Sequence, residues 1–277
     1  ADVDRVRAIA DRYDLGCSVI GDVTEGNYVC RFDGETVVDV PAGFLGDGAP
    51  AYARDREPAP EFARDVPEID LADAFEAVVR SPNTASKEWV YRQYDHEVGV
   101  RTARRPGDDA AIMALREADV GLALAAGGHP LWTDVDAVAG AKAVALEVAT
   151  NLAVKGASPL AAVDCLNGGN PEKPDVFDGF AGIVEGLAEM CQELAVPVVG
   201  GNVSLYNDSV AGPIPPTPTL FMAGTRSGYD APPLTLDGAG TLLLIGTPGT
   251  LGGSEYLAQF DGTDRFPSLP DRPRDRI

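Results

Sequence analysis

A chain of 277 residues with 45% apolar content can enclose a real core, as one large domain or two ordinary ones. Its formal charge of −21 comes from 28 Asp and 15 Glu against 18 Arg and only 4 Lys, and with no basic patch or stripe it argues against nucleic-acid binding. Carboxylate excess with lysine scarcity reads as adaptation to high salt, where such a surface stays solvated and self-repulsion is screened.

The first block, residues 1–48, opens directly on a helical pattern in which Val6, Ile9, Ala10 and Tyr13 recur on one face. Three short strands are predicted after it, at Cys17–Val23, Tyr28–Phe32 and Thr36–Val40, broken by Glu25-Gly26-Asn27 and Asp33-Gly34. One helix and a meander cannot close a core, so this block is expected to be the end of a domain. Residues 49–86 carry Pro50, Pro58, Pro60, Pro67 and Pro82 among many charges. They read as a semi-rigid linker holding a helix at Leu71–Arg80.

Residues 87–226 form the coherent block. A helix at Lys87–Tyr94 is followed by Pro106-Gly107-Asp108-Asp109, strands at Ala110–Arg116 and Val120–Ala125, and an Ala-rich helix from about Val138 to Lys155, stopped by Gly156. The strand Leu160–Val163 leads to the loop Asp164–Pro174. In the helix Phe177–Leu194, the residues Phe177, Phe180, Ile183, Val184, Leu187, Cys191 and Leu194 fall on a core-facing stripe. Strands Val196–Val199 and Thr219–Ala223 flank a second loop, Gly200–Asn207. The mixture is α+β, with a helix-backed mixed sheet. Residues 227–277 contain a predicted strand, Thr241–Ile245, and the loop Leu251–Tyr256, and read as the start of a further domain. The severed look of both ends leads us to expect a fragment of a longer protein.

Two neighbouring strands are thus expected to release Gly/Asn-rich loops at one sheet end, where α/β proteins usually bind ligands. Glycines admit a phosphate closely, and carboxylate and amide oxygens suit Mg²⁺. Asp164 would reach a nucleotide or its metal, the Asn202 carbonyl a Mg²⁺, and the Ser204 hydroxyl a phosphate oxygen, so that the two loops jointly cup a magnesium-bound triphosphate. The bland reading of the same residues is ordinary turn chemistry. Glu147 and Asn151 lie one helical turn apart and, with Asp109 from the preceding loop, could form a Mg²⁺–phosphate site or simply a solvated helix face. Cys165 reads as a small buried residue rather than a nucleophile, His129 as an unpaired loop residue, and His96 as a charged helix-end residue. Scattered Cys17, Cys30, Cys165 and Cys191 fit a reduced cytoplasmic protein. No apolar run reaches membrane-spanning length and no leader pattern is visible, so neither a membrane segment nor secretion is expected.

At these residues the chain closely resembles the small-type synthetase subunits of phosphoribosylformylglycinamidine synthase, members of the aminoimidazole ribonucleotide synthetase-like superfamily. The motifs are Asp164–Pro174, Gly201–Asn207, Pro215-Pro216-Thr217-Pro218, Gly107 with Asp109-Ala110-Ala111, the Gly140-Ala141-Lys142 helix with Glu147 and Asn151, and Leu251–Tyr256. In such subunits two halves each carry an N-terminal and a C-terminal domain. The resemblance implies that 1–48 closes the first C-terminal-type domain, 49–86 is the linker, 87–226 is the second N-terminal-type domain, and 227–277 begins the second C-terminal-type domain. It implies an ATP-dependent carbon–nitrogen ligase of purine biosynthesis that makes formylglycinamidine ribonucleotide from formylglycinamide ribonucleotide. Ammonia would come from a separate glutaminase subunit, with a small bridging subunit between the two. Carried over, Asp164 and Gly201 contact ATP, Asn202 ligates Mg²⁺, and Ser204 contacts substrate. Asp109, Glu147 and Asn151 become the metal ligands of an auxiliary nucleotide site. No catalytic residue falls in this chain, since the family's catalytic His belongs to the first N-terminal domain. The alternative is therefore a catalytically incomplete nucleotide-binding or assembly module. Gly168 departs from the family's usual Phe, and Gly127-Gly128-His129-Pro130 from its usual Asp-Gly-Asn-Pro.

Overall fold

The computed structural model of the chain describes residues 2–60, 63–235, 238–244 and 249–277, and for Arg276 the backbone alone. It falls into two compact units, residues 1–53 and 54–277.

The first unit carries helix α1 (Val3–Arg12), a hairpin of β1 (Asn27–Phe32) and β2 (Glu35–Pro41), and the short helix α2 (Ala42–Asp47). The hairpin turn is built by Asp33 and Gly34, both at positive φ (48° and 87°), the left-handed pair that matches the twist of the flanking strands. Residues 17–23 form no strand, contrary to expectation. Their alternating pattern has no partner strand on which to lay its hydrogen bonds, and a lone extended segment is not a sheet.

The second unit begins with a strap and helix α3 (Leu71–Arg80), whose N-terminus is capped by the Asp70 carboxylate accepting from the N–H groups of Ala72 and Asp73. Arg56 donates to Asp178 (2.7 Å) and Glu185 (2.5 Å), pinning the strap to the long helix behind the sheet. After the single turn α4 (Glu88–Tyr91), which falls short of the expected Lys87–Tyr94, come β3 (Thr102–Arg104), β4 (Ala111–Leu115) and β5 (Val120–Gly127). Helices α5 (Pro130–Val135) and α6 (Ala137–Ala153), strand β6 (Ser158–Asn167), helix α7 (Pro174–Leu194) and strand β7 (Val198–Ser204) follow. A two-residue hairpin, β8 (Asp208–Ser209) with β9 (Gly212–Pro213), precedes the long β10 (Thr217–Ser227). Helix α8 (Glu255–Gln259), capped by Ser254, comes later. Residues 241–244 form no strand. Ile245, the last residue of that expected strand, lies outside the described residues.

The sheet order is β3-β4-β5-β10-β6-β7. Every neighbouring pair is antiparallel except β6 and β7, which run parallel because α7 carries the chain back between them. Helices α6 and α7 cover one face. Residues Ile112, Val144, Val148, Leu152, Ile183, Met190, Leu220 and Met222 are sealed there, each contributing roughly 1.5–3 kcal/mol by leaving water. Helix α6 is apolar almost all round because it packs against both the sheet and α7. Gly182 and Gly186 let α7 approach Ala137, Val138 and Ala141. The other sheet face is open and keeps Val163 and Phe221, cross-strand partners, in solvent.

Candidate functional site

The sequence pattern predicts loops from Asp164 and from Gly200, but the strands run on through both segments, β6 to Asn167 and β7 to Ser204. Their parallel register sets Asp164 beside Gly201, Cys165 beside Asn202, and Asn167 beside Ser204. Successive strand residues point to opposite faces. Asp164 pairs across β10 with fully buried Leu220 and so faces the helices, whereas Cys165, Asn167, Asn202 and Ser204 share the open face with Thr217 and Thr219. The Asn202 amide nitrogen lies 4.0 Å from the Cys165 sulfur. Asp164 and Asn202 are thus neighbours at one sheet end but on opposite faces, and they do not jointly cup a ligand as expected. The one-residue offset between them is the cause.

On the helix face the Asp164 carboxylate lies directly over Gly201. A Cβ there would overlap Oδ1 and sit 2.7 Å from Cγ, so position 201 is glycine for want of space. Burial raises the Asp164 pKa, and its charge, after burial, helps raise the Cys191 thiol of α7. Cys165 itself is half-buried rather than buried.

Beyond the strand ends a polar clasp holds the loops. Asn207 Nδ2 donates to the Gly168 carbonyl (3.0 Å), the Ser204 carbonyl (3.0 Å) and Ser204 Oγ (3.1 Å). The Asp208 carboxylate accepts from the Asn170 N–H (2.9 Å) and the Lys173 ammonium (2.7 Å), which holds its pKa below the ordinary value. Tyr206 donates its hydroxyl to Glu172 (3.2 Å). Phe180 of α7 occupies the space beside Gly168, whose added Cβ would lie 2.7 Å from the ring. A larger residue at 168 has no room while Phe180 is there.

Asp109 lies 3.1 Å from the ammonium of Lys155, which stands just past the C-terminal end of α6. Glu147 meets His129, whose Nε2 is 3.3 Å from Oε1 in hydrogen-bonding geometry; Oε2, 3.0 Å from the same nitrogen, is buried without a hydrogen-bond partner. The His129 ring stacks on Trp132 at 3.9 Å between centroids, so the expectation of an unpaired loop histidine is corrected. A Cβ at Gly127 would lie 2.8 Å from Val148 and 3.1 Å from Glu147 Oε2, leaving no space for a carboxylate there. Among the described residues no group of three or more His, Cys, Asp or Glu side chains could hold a metal ion. His96 donates from Nε2 to the Tyr91 carbonyl (2.9 Å), past the end of α4. Lys155, Asn207 and the Lys173–Asp208 pair escaped the sequence reading, and the partner of His129 with them. For the two lysines the available signal was their scarcity, four in the chain.

A six-stranded mixed sheet with two long helices on one face and polar strand ends is the architecture of an aminoimidazole ribonucleotide synthetase-like N-terminal domain. Residues 107–225 match the family "AIR synthase related protein, N-terminal domain". The chain as a whole belongs with the PurL subunits of phosphoribosylformylglycinamidine synthase. It is 69% identical over 274 residues to the subunit PurL of Natronomonas pharaonis, covering 98% of this chain and 38% of that one. To the subunit PurL of Haloarcula marismortui it is 65% identical, with 97% and 39% covered. Among solved structures, Thermotoga maritima PurL complexed with ATP matches with a TM-score of 0.60 at 26% identity, covering 80% of this chain and 35% of that one. The same protein complexed with FGAR matches with a TM-score of 0.54 at 28% identity, covering 73% and 31%. The chain spans about two fifths of the length of these curated relatives.

Proposed function

We propose that this chain supplies the second N-terminal-type domain of an ATP-dependent, amidine-forming ligase of purine biosynthesis. Identity of 69% over nearly the whole chain to a PurL subunit carries the reading. In the overall reaction the amide oxygen of formylglycinamide ribonucleotide attacks the γ-phosphorus of ATP and ADP leaves. Ammonia then adds to the activated carbon, phosphate departs with the former amide oxygen, and an amidine remains. Ammonia would be released from glutamine by a separate glutaminase subunit, docked through a small bridging subunit.

Within this chain, Asp164 and the bare Gly201 backbone offer a nucleotide contact on the helix side, and Ser204, its hydroxyl held by Asn207, offers a substrate contact on the open side. Asn202 could give Mg²⁺ one amide oxygen. Its close neighbour is a thiol, and a hard cation needs several more oxygens. Asn202 would thus need further magnesium ligands, and no catalytic residue is assigned to this chain. The remaining three fifths of such a subunit would supply both. The open apolar sheet face would pair with the matching face of the other N-terminal-type domain to form a barrel-like core. The formal net charge of −21 fits work at high salt, and four free cysteines among the described residues fit a cytoplasmic location. No described helix is long and apolar enough to cross a membrane.

The test is reconstitution of the whole subunit with its glutaminase and bridging partners, followed by an assay of ATP-dependent amidine formation. Ser204→Ala and Asp164→Ala should each lower kcat/KM by about tenfold or more, as lost polar contacts of 1.4 kcal/mol or above do. Wild-type rates in both variants would remove these residues from the site.

A further inference from the structure

The side chain of Lys155 is 98% shielded, although lysine is rarely buried without a partner. Its ammonium has three donors and each has an acceptor. These are Asp108 Oδ1 at 2.5 Å, Asp109 Oδ2 at 3.1 Å and the carbonyl of Pro232 at 3.2 Å. The three partners come from the loop before β4 and from the segment after β10, while Lys155 stands in the turn just past the end of α6. Arg226 donates to the Lys155 carbonyl (2.7 Å), and Arg104 stands 3.8 Å from the other oxygen of Asp108 while its Nη2 holds the Ala231 carbonyl. This corner thus contains two adjacent carboxylates and a backbone carbonyl around the Lys155 ammonium, with the Arg104 guanidinium beside Asp108.

That is the oxygen set a divalent metal would use, and the position is filled. We infer that the ammonium of Lys155 is the resident cation of this acidic corner, so that Asp109 ligates no divalent metal and the corner is held together without one. The support is geometric: the donor count closes, with no vacant direction on an almost wholly shielded ammonium. The arrangement also suits a protein bathed in salt, because a covalently tethered cation at a dry site is not exchanged with the solvent ions.

Two measurements on the full chain at fixed high salt decide the matter. Mn²⁺ uptake is followed by the loss of the free-ion electron paramagnetic resonance signal, with and without ADP, for wild type and Asp109→Asn. Equal uptake by the two proteins is expected; one equivalent lost in Asp109→Asn overturns the inference. Thermal midpoints are compared for wild type, Lys155→Met, Asp108→Asn and the double variant. Each single change should lower the midpoint, and the double change should cost less than the sum. Strict additivity would show that Lys155 and Asp108 are not a coupled pair and would also overturn it. The uptake comparison keeps the inference testable if Lys155→Met does not fold.

Discussion

Replacing Gly201 by alanine tests the tightest glycine position among the described residues. The new Cβ would lie 2.7 Å from Asp164 Cγ, about 1 Å inside the ordinary carbon–carbon separation of roughly 3.5–4.0 Å, and would overlap Oδ1. The β6–β7 register allows no sideways escape, because Asp164 and Gly201 are directly opposed partners. Either the carboxylate rotates away or β7 lifts off β6. Such overpacking costs about 1–3 kcal/mol. For a unit of this size that lowers the thermal midpoint by roughly 2–4 °C per kcal/mol. The informative version is a cycle with Asp164→Ala. Truncating Asp164 removes the overlapping atoms and leaves only its backbone oxygen, 3.0 Å away, so Gly201→Ala should become markedly cheaper in that background. Calorimetry on the four proteins gives the coupling energy, expected at about 1 kcal/mol or more. If Gly201→Ala costs the same with and without the Asp164 side chain, the packing explanation for this glycine is wrong.

Asp164→Asn should stabilise the chain at neutral pH, since burial raises the folded-state pKa of Asp164 and the ionised carboxylate is therefore a penalty. The gain should shrink as the pH falls to the ordinary carboxylate range, where the group is protonated folded or unfolded; denaturation at several pH values would show it, and a pH-independent difference would contradict it. Ile183→Ala empties a sealed position between α7 and the sheet and should cost about 2–5 kcal/mol in urea unfolding. Arg56→Ala removes ion pairs that are more than a third exposed on the Arg56 side, so the loss should stay within about 1 kcal/mol and shrink further as salt is added. At low salt the chain should self-associate through the open sheet face, and Phe221→Glu should reduce this in sedimentation velocity; a wild-type monomer there would count against the exposed face as an adhesive surface.

Helix positions were the most legible part of the sequence, because helical periodicity survives single-sequence reading. The stripe through Phe180, Ile183, Leu187, Cys191 and Leu194 lies on α7, and the Ala-rich run is α6. Strand ends were not. Asn167, Gly200, Gly201 and Asn202 look like loop residues, yet they stay in strands because a parallel partner supplies their backbone hydrogen bonds and Asp164 fills the missing side-chain volume at Gly201. The opposite error occurred at 17–23 and 241–244, where apolar alternation without a partner made no strand. For the site, residue types were readable while pairings were not. Asp109 and Glu147 were readable as candidate oxygen donors, but their partners Lys155 and His129 were not, because contacts between distant segments leave no local trace.

The order of the sheet carries a consequence for biosynthesis. β10, the last of its six strands to leave the ribosome, lies in the middle, hydrogen-bonded to β5 on one side and β6 on the other. Until it emerges, the β3–β5 meander and the β6–α7–β7 unit are two half-sheets with raw edges and no bond between them. Insertion of this keystone joins both halves in one late step, which makes the interval before it the time when the nascent chain most needs a chaperone.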